Sequence, residues 1–426
     1  MTRERAILHS DINCCYAQIE CQEHPELRGR PVAVGGDEEA RHGIVLARNL
    51  LAKRWGVTTA DTLVDARRKC PGLVVVPADY RLYMDVCGRA RKIYYDYTDL
   101  VEPFGPDESW LDVTGSTRCL AMSPVAIARE ISERMRAELG ITVSVGVSWN
   151  KVFAKFGSDY KKPDAVTEIT RENYADIVWN APVRDLLYVG EATERKLKAS
   201  GVATIGDLAH CSDYYLSRRF GKMGLVLRAF ARGEDASEVK ALNAEKCDVE
   251  REAKSYGNSI TFPRDITDDA TAKAVTWMLA ESVAQRMREG RARARTIVVG
   301  VRDAGTFRTF SRQRKMPCAT NITLEIAQAS WALVREIWRF SEDFPARGIS
   351  VRGENLIPAD DALQMPLFDP EPRRAGLEAV DTAVDDLRRR FGNNCVVWGP
   401  KAWCADTLAA DAKRDNTVHP VSFFHR

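Results

Sequence analysis

Three acidic residues of this 426-residue chain lie where the sequence predicts strands to end. Asp11 follows the apolar residues 6–8, and Asp107 and Glu108 occupy a turn, flanked by proline and glycine, between two predicted strands. Because a sheet fixes the spacing of neighbouring strand ends, these carboxylates could share a divalent cation, and such hard oxygen ligands suit Mg²⁺. Two ions would serve an in-line displacement. Taken alone, however, an Asp-Glu pair is more often an exposed turn.

A second feature is the concentration of basic residues between 281 and 317, where ten lysines and arginines stand against three acids. The whole chain has 62 basic and 60 acidic residues, so a uniformly basic coat is excluded. Such local clustering is typical of a phosphate-tracking surface with salt-sensitive DNA binding. A charge run is usually a solvated face, but arginines on strand-like segments favour DNA contact. The predicted DNA-contacting arginines are Arg293, Arg295, Arg302, Arg312 and Arg314.

Composition excludes several classes of protein. Hydrophobic residues make up 45% and charged residues 29%, which is ordinary for a globular chain and unlike a disordered or collagen-like one. No apolar run approaches the roughly 18 residues of a membrane span, and the N-terminus does not resemble a signal peptide. The eleven cysteines include no C-x-x-C pair, and their odd count fits a reducing cytosol. We therefore expect a cytoplasmic protein without membrane association.

The elements that must position the acids follow an α+β pattern. Up to about residue 170 the predicted order is β-α-β-β-α-β with an insertion, which predicts helices on one face of a mixed sheet. The chain then turns helical to about 236. A charged segment without apolar periodicity, 237–250, is predicted to be a linker. Strands return over 251–357, and a last helix is predicted at 377–391.

Three segments carry a family resemblance: H-S-D-I-N-C-C-Y, P-D-E-S-W-L-D-V and S-V-G-V-S-W-N-K-V-F-A-K-F-G-S-D-Y-K-K-P. In order and spacing they resemble the signature segments of the Y-family translesion DNA polymerases, and most closely the bacterial DinB (DNA polymerase IV) branch. The resemblance continues through F-G-K-M-G, A-R-G-E-D and K-S-Y-G-N-S. It therefore covers roughly residues 5 to 358.

The resemblance implies a catalytic metal site. In such a polymerase two Mg²⁺ ions are held by Asp11, Asp107 and Glu108, and the backbone carbonyl of Ile12 serves the second ion. Asn13 stands where many DinB proteins have a second Asp, but that position is not one of the three acidic ligands. The implied reaction is template-directed nucleotidyl transfer from dNTPs onto primer-template DNA.

The resemblance also implies a nucleotide pocket. Tyr16, five residues after the first acid, aligns with the aromatic steric gate that excludes a ribose 2′-hydroxyl, and Lys162 aligns with the triphosphate lysine. Beside Asn49, Leu50 and Lys53 stand where DinB proteins usually have Tyr and Arg, although the UmuC-like R-N-x-x-A-K pattern also has the lysine. Arg-to-Lys gives up bidentate geometry. Without the resemblance, Tyr16 would be a core aromatic and Lys53 a solvated helix residue.

A third set of residues is predicted to hold DNA. The segment L-Y-V-G-E-A-T resembles a helix-hairpin-helix, whose backbone N–H groups bind phosphate near Gly190 and Lys196. A plain pair of helices joined by a hairpin is the alternative. Lys151, Lys155 and Lys161 are expected to lie on a solvated or phosphate-contacting surface rather than to take part in catalysis.

A short motif follows the last predicted strand. Gln364, Leu367 and Phe368 form Q-x-x-L-F in a polar, proline-flanked tail and resemble the motif that docks into the bacterial sliding clamp. A Leu-Phe pair exposed in such a tail gains most if it fills a partner's pocket. The alternative is a tail that packs on its own domain. We expect a monomeric polymerase tethered by the clamp.

The fold implied by the resemblance is a right-hand polymerase with a ferredoxin-like palm, small fingers, a helical thumb with a helix-hairpin-helix and an α+β little finger. The implied ranges are 1–18 and 79–170 for the palm, 19–78 for the fingers, 171–236 for the thumb, 237–250 for the linker, 251–357 for the little finger and 358–426 for the tail.

The predicted function is error-prone translesion DNA synthesis by two-Mg²⁺ nucleotidyl transfer. One alternative is a catalytically weak or inactive relative that recruits other polymerases through the clamp and DNA; the presence of all three acids speaks against it. Another is a DNA repair scaffold built on the hairpin alone, which leaves the two acidic segments and Tyr16 unexplained. Nucleotide-dependent metal uptake would separate the enzyme from both.

Overall fold

The computed structural model describes residues 4–36, 43–241, 253–361, 371–392, 395–397 and 399. They divide into two compact units, the first formed by the residues up to 241 and the second chiefly by those from 253 onward. The predicted clamp-binding residues Gln364, Leu367 and Phe368 lie outside the described residues. Within the described ranges no helix is long and apolar enough to cross a membrane.

Helices and strands alternate through most of the first unit. It contains, in chain order, β1 (Ile7–Ile12), α1 (Cys15–Glu23), β2 (Val32–Gly35), β3 (Val45–Arg48), α2 (Leu50–Arg54), α3 (Leu63–Lys69), β4 (Val74–Pro77), α4 (Tyr80–Tyr95), β5 (Val101–Pro103), β6 (Glu108–Asp112), α5 (Ser116–Cys119), α6 (Pro124–Leu139), β7 (Val143–Ser148), α7 (Lys151–Tyr160), β8 (Val166–Glu168), α8 (Glu191–Lys198), α9 (Ile205–His210), α10 (Asp213–Phe220) and α11 (Lys222–Ala231).

A five-stranded sheet in the order β5-β6-β1-β7-β8 forms the centre of this unit. Strand β1 pairs antiparallel with both β6 and β7, and all six of its residues are buried. Helices α4 and α6 pack on one face through residues such as Tyr83 and Ile127. The predicted strand and helix order is confirmed, but helices cover both faces instead of one. Helix α7 lies on the opposite face because Gly146 has no side chain there; a Cβ would lie 1.9 Å from the Ala154 carbonyl oxygen.

The insertion between α1 and α4 forms its own small layer. Strands β3, β2 and β4 make a three-stranded sheet in which β2 and β4 run parallel. Its core consists of small and branched residues such as Ala33, Val45 and Leu63. The Val32 backbone N–H donates to the side-chain oxygen of Asn49 at 3.1 Å, which ties the start of α2 to β2.

Residues 237–241, at the start of the predicted linker, pack on the central sheet. Val239 is buried in a cluster with Ile7 and Trp110. The Lys240 backbone N–H donates to the Glu102 carboxylate at 2.8 Å. Through buried Val239 and this charge-assisted hydrogen bond, the start of the predicted linker belongs structurally to the first unit.

The second unit is a four-stranded antiparallel sheet with helices on one face. It contains, in chain order, β9 (Ser255–Ile266), α12 (Asp269–Glu289), β10 (Ala292–Asp303), β11 (Thr309–Thr320), α13 (Thr323–Ile337), β12 (Ala346–Pro358) and α14 (Glu371–Phe391). The strand order is β11-β10-β12-β9, and α12 and α13 cover the face that carries Ile297, Val299 and Val301. The sequence pattern predicted strands here but did not locate α12 or α13, whereas the resemblance implied an α+β domain over this range.

Helix α14 docks on this unit through charged side chains. The Asp385 carboxylate accepts two bonds from Arg288, at 2.7 and 3.0 Å. Asp381, 3% exposed, accepts from the Thr323 backbone N–H at 2.8 Å and so caps the first turn of α13. Arg388 pairs with Glu281 at 3.2 Å. The helix predicted at 377–391 therefore begins earlier, at residue 371, and is held by ion pairs more than by apolar contact.

Candidate active site

The three predicted acids meet at one end of the central sheet. Asp11 and Glu108 face each other in register across β1 and β6. The Ile12 backbone N–H donates to the Asp107 carbonyl oxygen at 3.1 Å and holds the turn before β6 against β1. Asp11 is 4% exposed, and Asp107 and Glu108 are half-buried. The strand pairing thus brings Asp11 together with Asp107 and Glu108, which lie nearly a hundred residues later in the sequence.

Crowding of these acids changes their proton affinity. Burial, together with the negative charges of Asp11 and Glu108, raises the pKa of Asp107 to about 6. Burial and the hydrogen bond with Glu108 raise the pKa of Asp11. Both directions show that ionised carboxylates are unfavourable here without a compensating cation.

Two lysines supply positive charge at the acids. The Lys155 Nζ lies 2.8 Å from Glu108, 3.3 Å from Asp11 and 3.0 Å from Asp159. The Lys162 Nζ lies 2.6 Å from Asp11 and 2.8 Å from Asp159. Burial works in the opposite direction, but the carboxylates raise the pKa of both lysines, so each is an ammonium ion. Asp159, on α7, holds both lysines from the side away from β1.

These residues fit a divalent cation, although the side chains are not arranged around one. Within the described ranges, no three His, Cys, Asp or Glu side chains already surround a common point. The Lys155 ammonium instead bridges Asp11 and Glu108, so a positive charge already stands between two of the three predicted ligands. Carboxylate oxygens at an open sheet end, with room for water and phosphate, suit Mg²⁺.

His9 supports the site from inside the sheet and was not predicted. It is fully buried, its Nδ1 lies 2.9 Å from the Ser158 Oγ, and its Nε2 lies 3.6 Å from a Glu108 carboxylate oxygen. Burial, and then the charge of Lys155, lower the pKa of His9 to about 3. The imidazole is therefore neutral and acts as a rigid polar spacer behind Glu108, edge-on to Trp110.

Tyr16 lies half-buried on α1, and its ring is packed between two tyrosines of α4. It stacks on Tyr83 with ring centres 4.3 Å apart and an interplanar angle of 11°, and it meets Tyr80 edge-on at 5.9 Å. The Tyr83 hydroxyl donates to the buried Glu20 carboxylate. Tyr83 and Glu20 were not predicted, because nothing local in the sequence links α1 with α4.

The predicted residues around α2 have different roles. Asn49 is the N-cap, and its side-chain oxygen accepts from the backbone N–H of Ala52 at 2.9 Å. Leu50 is 40% exposed, and Lys53 is exposed on the same helix. The charges of Arg48, Lys53 and Lys162 all act on the Cys14 thiol, whose pKa burial nevertheless raises. The charges of three cations, among them the unpredicted Arg48, thus act on a residue three positions after Asp11.

The hairpin before α8 places Gly190 at the helix N-terminus, where it is exposed. Tyr188, which replaces a glycine of the usual motif, adopts a left-handed backbone with φ 69°. Lys196 is exposed on α8. A cleft of about 780 Å³ is lined by this hairpin and, on α7, by Lys155 and Asp159. The cleft therefore extends from the predicted phosphate-binding hairpin to Lys155, which pairs with Asp11 and Glu108.

The predicted DNA-contacting arginines lie on different faces of the second unit. Arg314 pairs with Glu336 on α13, so its side chain lies on the helix side of the sheet, and Arg312, two residues earlier on the same strand, points to that side as well. Arg302 lies on the open face. Arg293 pairs with Glu378 of α14 at 3.3 Å, whereas Arg295 is exposed.

The open face of this sheet is polar and basic. Register places Lys315 and Arg352 on it, together with small polar residues. These small residues are Ser259, Thr309, Ser311 and Ser350. The alternation of side chains along each strand could have separated the helix-covered face from the open face. Residues 297, 299 and 301 are buried under the helices, so their cross-strand neighbours lie on the same face.

Two of the three lysine predictions are wrong: Lys155, expected on a solvated or phosphate-contacting surface, has only 14% of its side chain exposed and lies against Asp11 and Glu108. Lys151 was expected on a solvated or phosphate-contacting surface, but it is 9% exposed. Its Nζ lies 2.7 Å from the Glu102 carboxylate and 4.4 Å from the centre of the Trp110 ring. The partner carboxylate comes from β5, 49 residues away, so the sequence around Lys151 gave no sign of burial.

Comparison with protein families identifies three regions. The impB/mucB/samB family matches residues 10–159, and its C-terminal domain matches residues 253–367. A thumb domain described for DNA polymerase iota matches residues 184–235. The first match spans the three acids and Lys155, and Lys162 lies three residues beyond its end.

Whole proteins give the same result. A DNA polymerase IV of Acetivibrio thermocellus is 47% identical over 389 residues, which is 91% of this chain and 95% of that protein. A DNA polymerase IV of Moorella thermoacetica is 38% identical and covers 92% of this chain and 94% of its own length. A solved Y-family DNA polymerase chimera superposes with a TM-score of 0.69 at 21% identity, over 83% of this chain and 99% of that chain.

Proposed function

The chain belongs to the Y family of DNA polymerases, and we propose that Asp11, Asp107 and Glu108 hold the two Mg²⁺ ions with which it extends a primer past damaged template. Its class of activity, DNA-directed DNA polymerisation of the translesion type, follows from the family. The observation that supports these ligands is their convergence, through the pairing of β1 with β6, at a site where Lys155 already provides a cation.

The reaction joins the primer 3′-oxygen to the α-phosphorus of a dNTP and breaks the bond to the pyrophosphate leaving group. Bound Mg²⁺ would favour loss of the hydroxyl proton and neutralise the triphosphate charge. The chain's own contribution is mainly positioning. Asp11 and Glu108 are fixed by the sheet, and the neutral His9 behind Glu108 excludes water without adding charge.

The two lysines beside the acids would have different partners before and after the ions and the nucleotide bind. Lys155 and Lys162 are ammonium ions held by Asp11, Glu108 and Asp159. Bound Mg²⁺ would take over the neutralisation of Asp11 and Glu108, which would leave Lys162 free to pair with a triphosphate while Asp159 continues to hold both lysines. Lys53 and Arg48 add positive charge near Cys14.

Tyr16 is proposed to exclude ribonucleotides. Its ring is rigid because it is stacked on Tyr83 and flanked by Tyr80. A planar side chain held under the sugar leaves no room for a 2′-hydroxyl. Leu50, 40% exposed beside Lys53, would form an apolar wall of the same pocket.

DNA is proposed to contact two surfaces. Primer phosphates follow the cleft from the Gly190 hairpin to Lys155. In the second unit the open sheet face with Arg302, Lys315 and Arg352 binds duplex phosphates. Arg312 and Arg314 are not part of this surface.

Primer extension with Mg²⁺ and dNTPs tests the catalytic site. Wild type is expected to extend a primer, and the double variant Asp107→Ala, Glu108→Ala is expected to be inactive. Asp112→Ala is the matched control because it removes a carboxylate from the opposite end of β6. Extension by the double variant would refute the assignment. Failure of all three proteins, with DNA binding intact, would instead indicate a relative that only recruits other polymerases.

A sliding clamp is the proposed protein partner. Gln364, Leu367 and Phe368 supply the peptide, and tethering would raise the local concentration of a distributive enzyme. Addition of clamp should lengthen the products made by wild type but not those made by Leu367→Ala, Phe368→Ala. Both proteins should extend equally without the clamp, and equal stimulation of both would refute the motif.

A further inference from the structure

A buried carboxylate lies behind the proposed sugar gate without an obvious role in metal or DNA binding. Glu20 is 4% exposed, although it lies on α1, only four residues after Tyr16. Its Oε1 accepts a hydrogen bond from the Tyr83 hydroxyl, and its Oε2 lies 3.8 Å from the Nε2 of the exposed His24. A buried carboxylate is costly unless its partners are firmly fixed.

The geometry transmits this hydrogen bond to Tyr16. The i, i+4 spacing puts Tyr16 and Glu20 on one side of α1, and Tyr83 faces both from α4. The Tyr16 and Tyr83 rings are nearly parallel at 4.3 Å. Since Tyr83 is fully buried and bonded at its hydroxyl, its ring cannot tilt freely. The orientation of the Tyr16 ring therefore depends on a bond two side chains away.

We propose that Glu20 and Tyr83 are positioning residues that set sugar discrimination by fixing the plane of the Tyr16 ring. This inference rests on the proposed role of Tyr16 as the gate. Burial, and then the bond to Glu20, raise the pKa of Tyr83, so it keeps its proton and remains a donor. Tyr80, edge-on to both rings at 5.9 and 6.0 Å, restricts the sideways shift that remains.

Loss of the Tyr83 hydroxyl should relax the gate without removing it. Tyr83→Phe keeps the stack but frees the ring, and we expect the ratio of kcat/KM for dNTP to that for the matching rNTP to fall about tenfold, which corresponds to about 1.4 kcal/mol. Tyr83→Leu removes the stack as well and should lower the ratio further. Glu20→Gln can still accept the bond and should have the smallest effect.

Single-nucleotide insertion with dCTP and rCTP opposite a template guanine measures this ratio. Partial misfolding lowers both rates together and leaves their ratio unchanged, so the ratio reports positioning. Tyr97→Phe is the matched control: Tyr97 lies two residues after the end of α4, and its hydroxyl donates to Glu130 of α6 at 2.9 Å, away from the gate. That variant should keep the wild-type ratio.

Tyr16→Ala tests the gate itself, independently of the residues proposed to position it. If Tyr16→Ala loses discrimination and Tyr83→Phe loses part of it, the inference holds. If Tyr16→Ala loses discrimination while Tyr83→Phe and Tyr83→Leu match wild type, Tyr16 is the gate but Tyr83 and Glu20 do not position it. If Tyr16→Ala keeps full discrimination, the gate itself is refuted, and this inference with it.

Discussion

Replacing Lys155 by methionine tests whether the acid site is held by an internal counter-ion. Methionine keeps most of the length of the side chain but removes the charge that bridges Asp11 and Glu108. In the absence of metal, the two carboxylates should then repel each other. The variant should lose folding stability and, because the ammonium no longer competes, should bind Mg²⁺ more tightly.

The magnitude follows from the contacts. Opposite charges 2.8 Å apart attract by roughly 6 kcal/mol at an effective dielectric constant of about 20. Desolvation offsets part of this, and removing one partner of a buried pair costs about 3–5 kcal/mol. Lys155 is expected to keep its contact with Asp159 when an ion binds. We therefore take about 2 kcal/mol of its pairing energy as the amount that Mg²⁺ binding must overcome. That corresponds to about thirtyfold in Mg²⁺ affinity.

Titration calorimetry with Mg²⁺ on the DNA-free protein measures the affinity, and urea unfolding without metal measures the stability. Lys161→Met is the control, since Lys161 is exposed and belongs to the same segment of chain. We expect that variant to match wild type in both assays. Equal or weaker Mg²⁺ binding by Lys155→Met would refute the competition and would make Lys155 a ligand-orienting residue instead.

Other predictions concern charge at separate places. Because the pKa of Asp107 is raised to about 6, the folded state binds this proton more tightly than the unfolded state, and stability falls as pH rises from about 4 to about 6. Asp107→Asn should therefore stabilise the metal-free protein by as much as about 3 kcal/mol at pH 7.5 but not at pH 4. Urea unfolding at the two pH values measures the difference. Arg352→Ala should weaken DNA binding and lower the slope of log affinity against log salt by about one, whereas Arg314→Ala should leave the slope unchanged. Asp381→Asn should lower the free energy of unfolding by about 3 kcal/mol, against less than about 1 kcal/mol for the exposed Asp386→Asn.

The strand-end positions of the three acids could be predicted because their signals are local, whereas their assignment to one metal site came from the family resemblance. Asp11 ends an apolar strand, and Asp107 and Glu108 follow a Pro-Phe-Gly-Pro turn, so their positions at strand ends depend only on near neighbours. Antiparallel pairing of β1 and β6 then brings them together. The same reasoning predicts the order of strands and helices in the first unit, because each element has its own periodicity and its own stop signals.

Elements buried on all sides could not be predicted in this way. Residues on every side of α12 are buried, among them Ala272, Thr276 and Glu281, so its sequence shows little helical periodicity. Helix α14 shows the opposite problem: its most buried side chains are charged, and Val380 and Leu387 remain exposed. A hydrophobic pattern assigns the wrong face of such a helix to the core, since the interaction that buries it is an ion-pair network with Arg288.

Lys155 and Lys151 show why charge assignments fail from sequence alone. Both lie on α7 at i, i+4 and read as one basic face, yet one reaches the acids of β1 and β6 and the other is buried against Glu102 of β5. Each lysine is placed by a carboxylate that follows from tertiary pairing, so its role depends on a partner at least 47 residues away. The acids lie at strand ends that near neighbours specify. Of the cations that balance them, Lys162 was named through the resemblance, but Lys155 was not, because only the folded sheet brings it to Asp11 and Glu108.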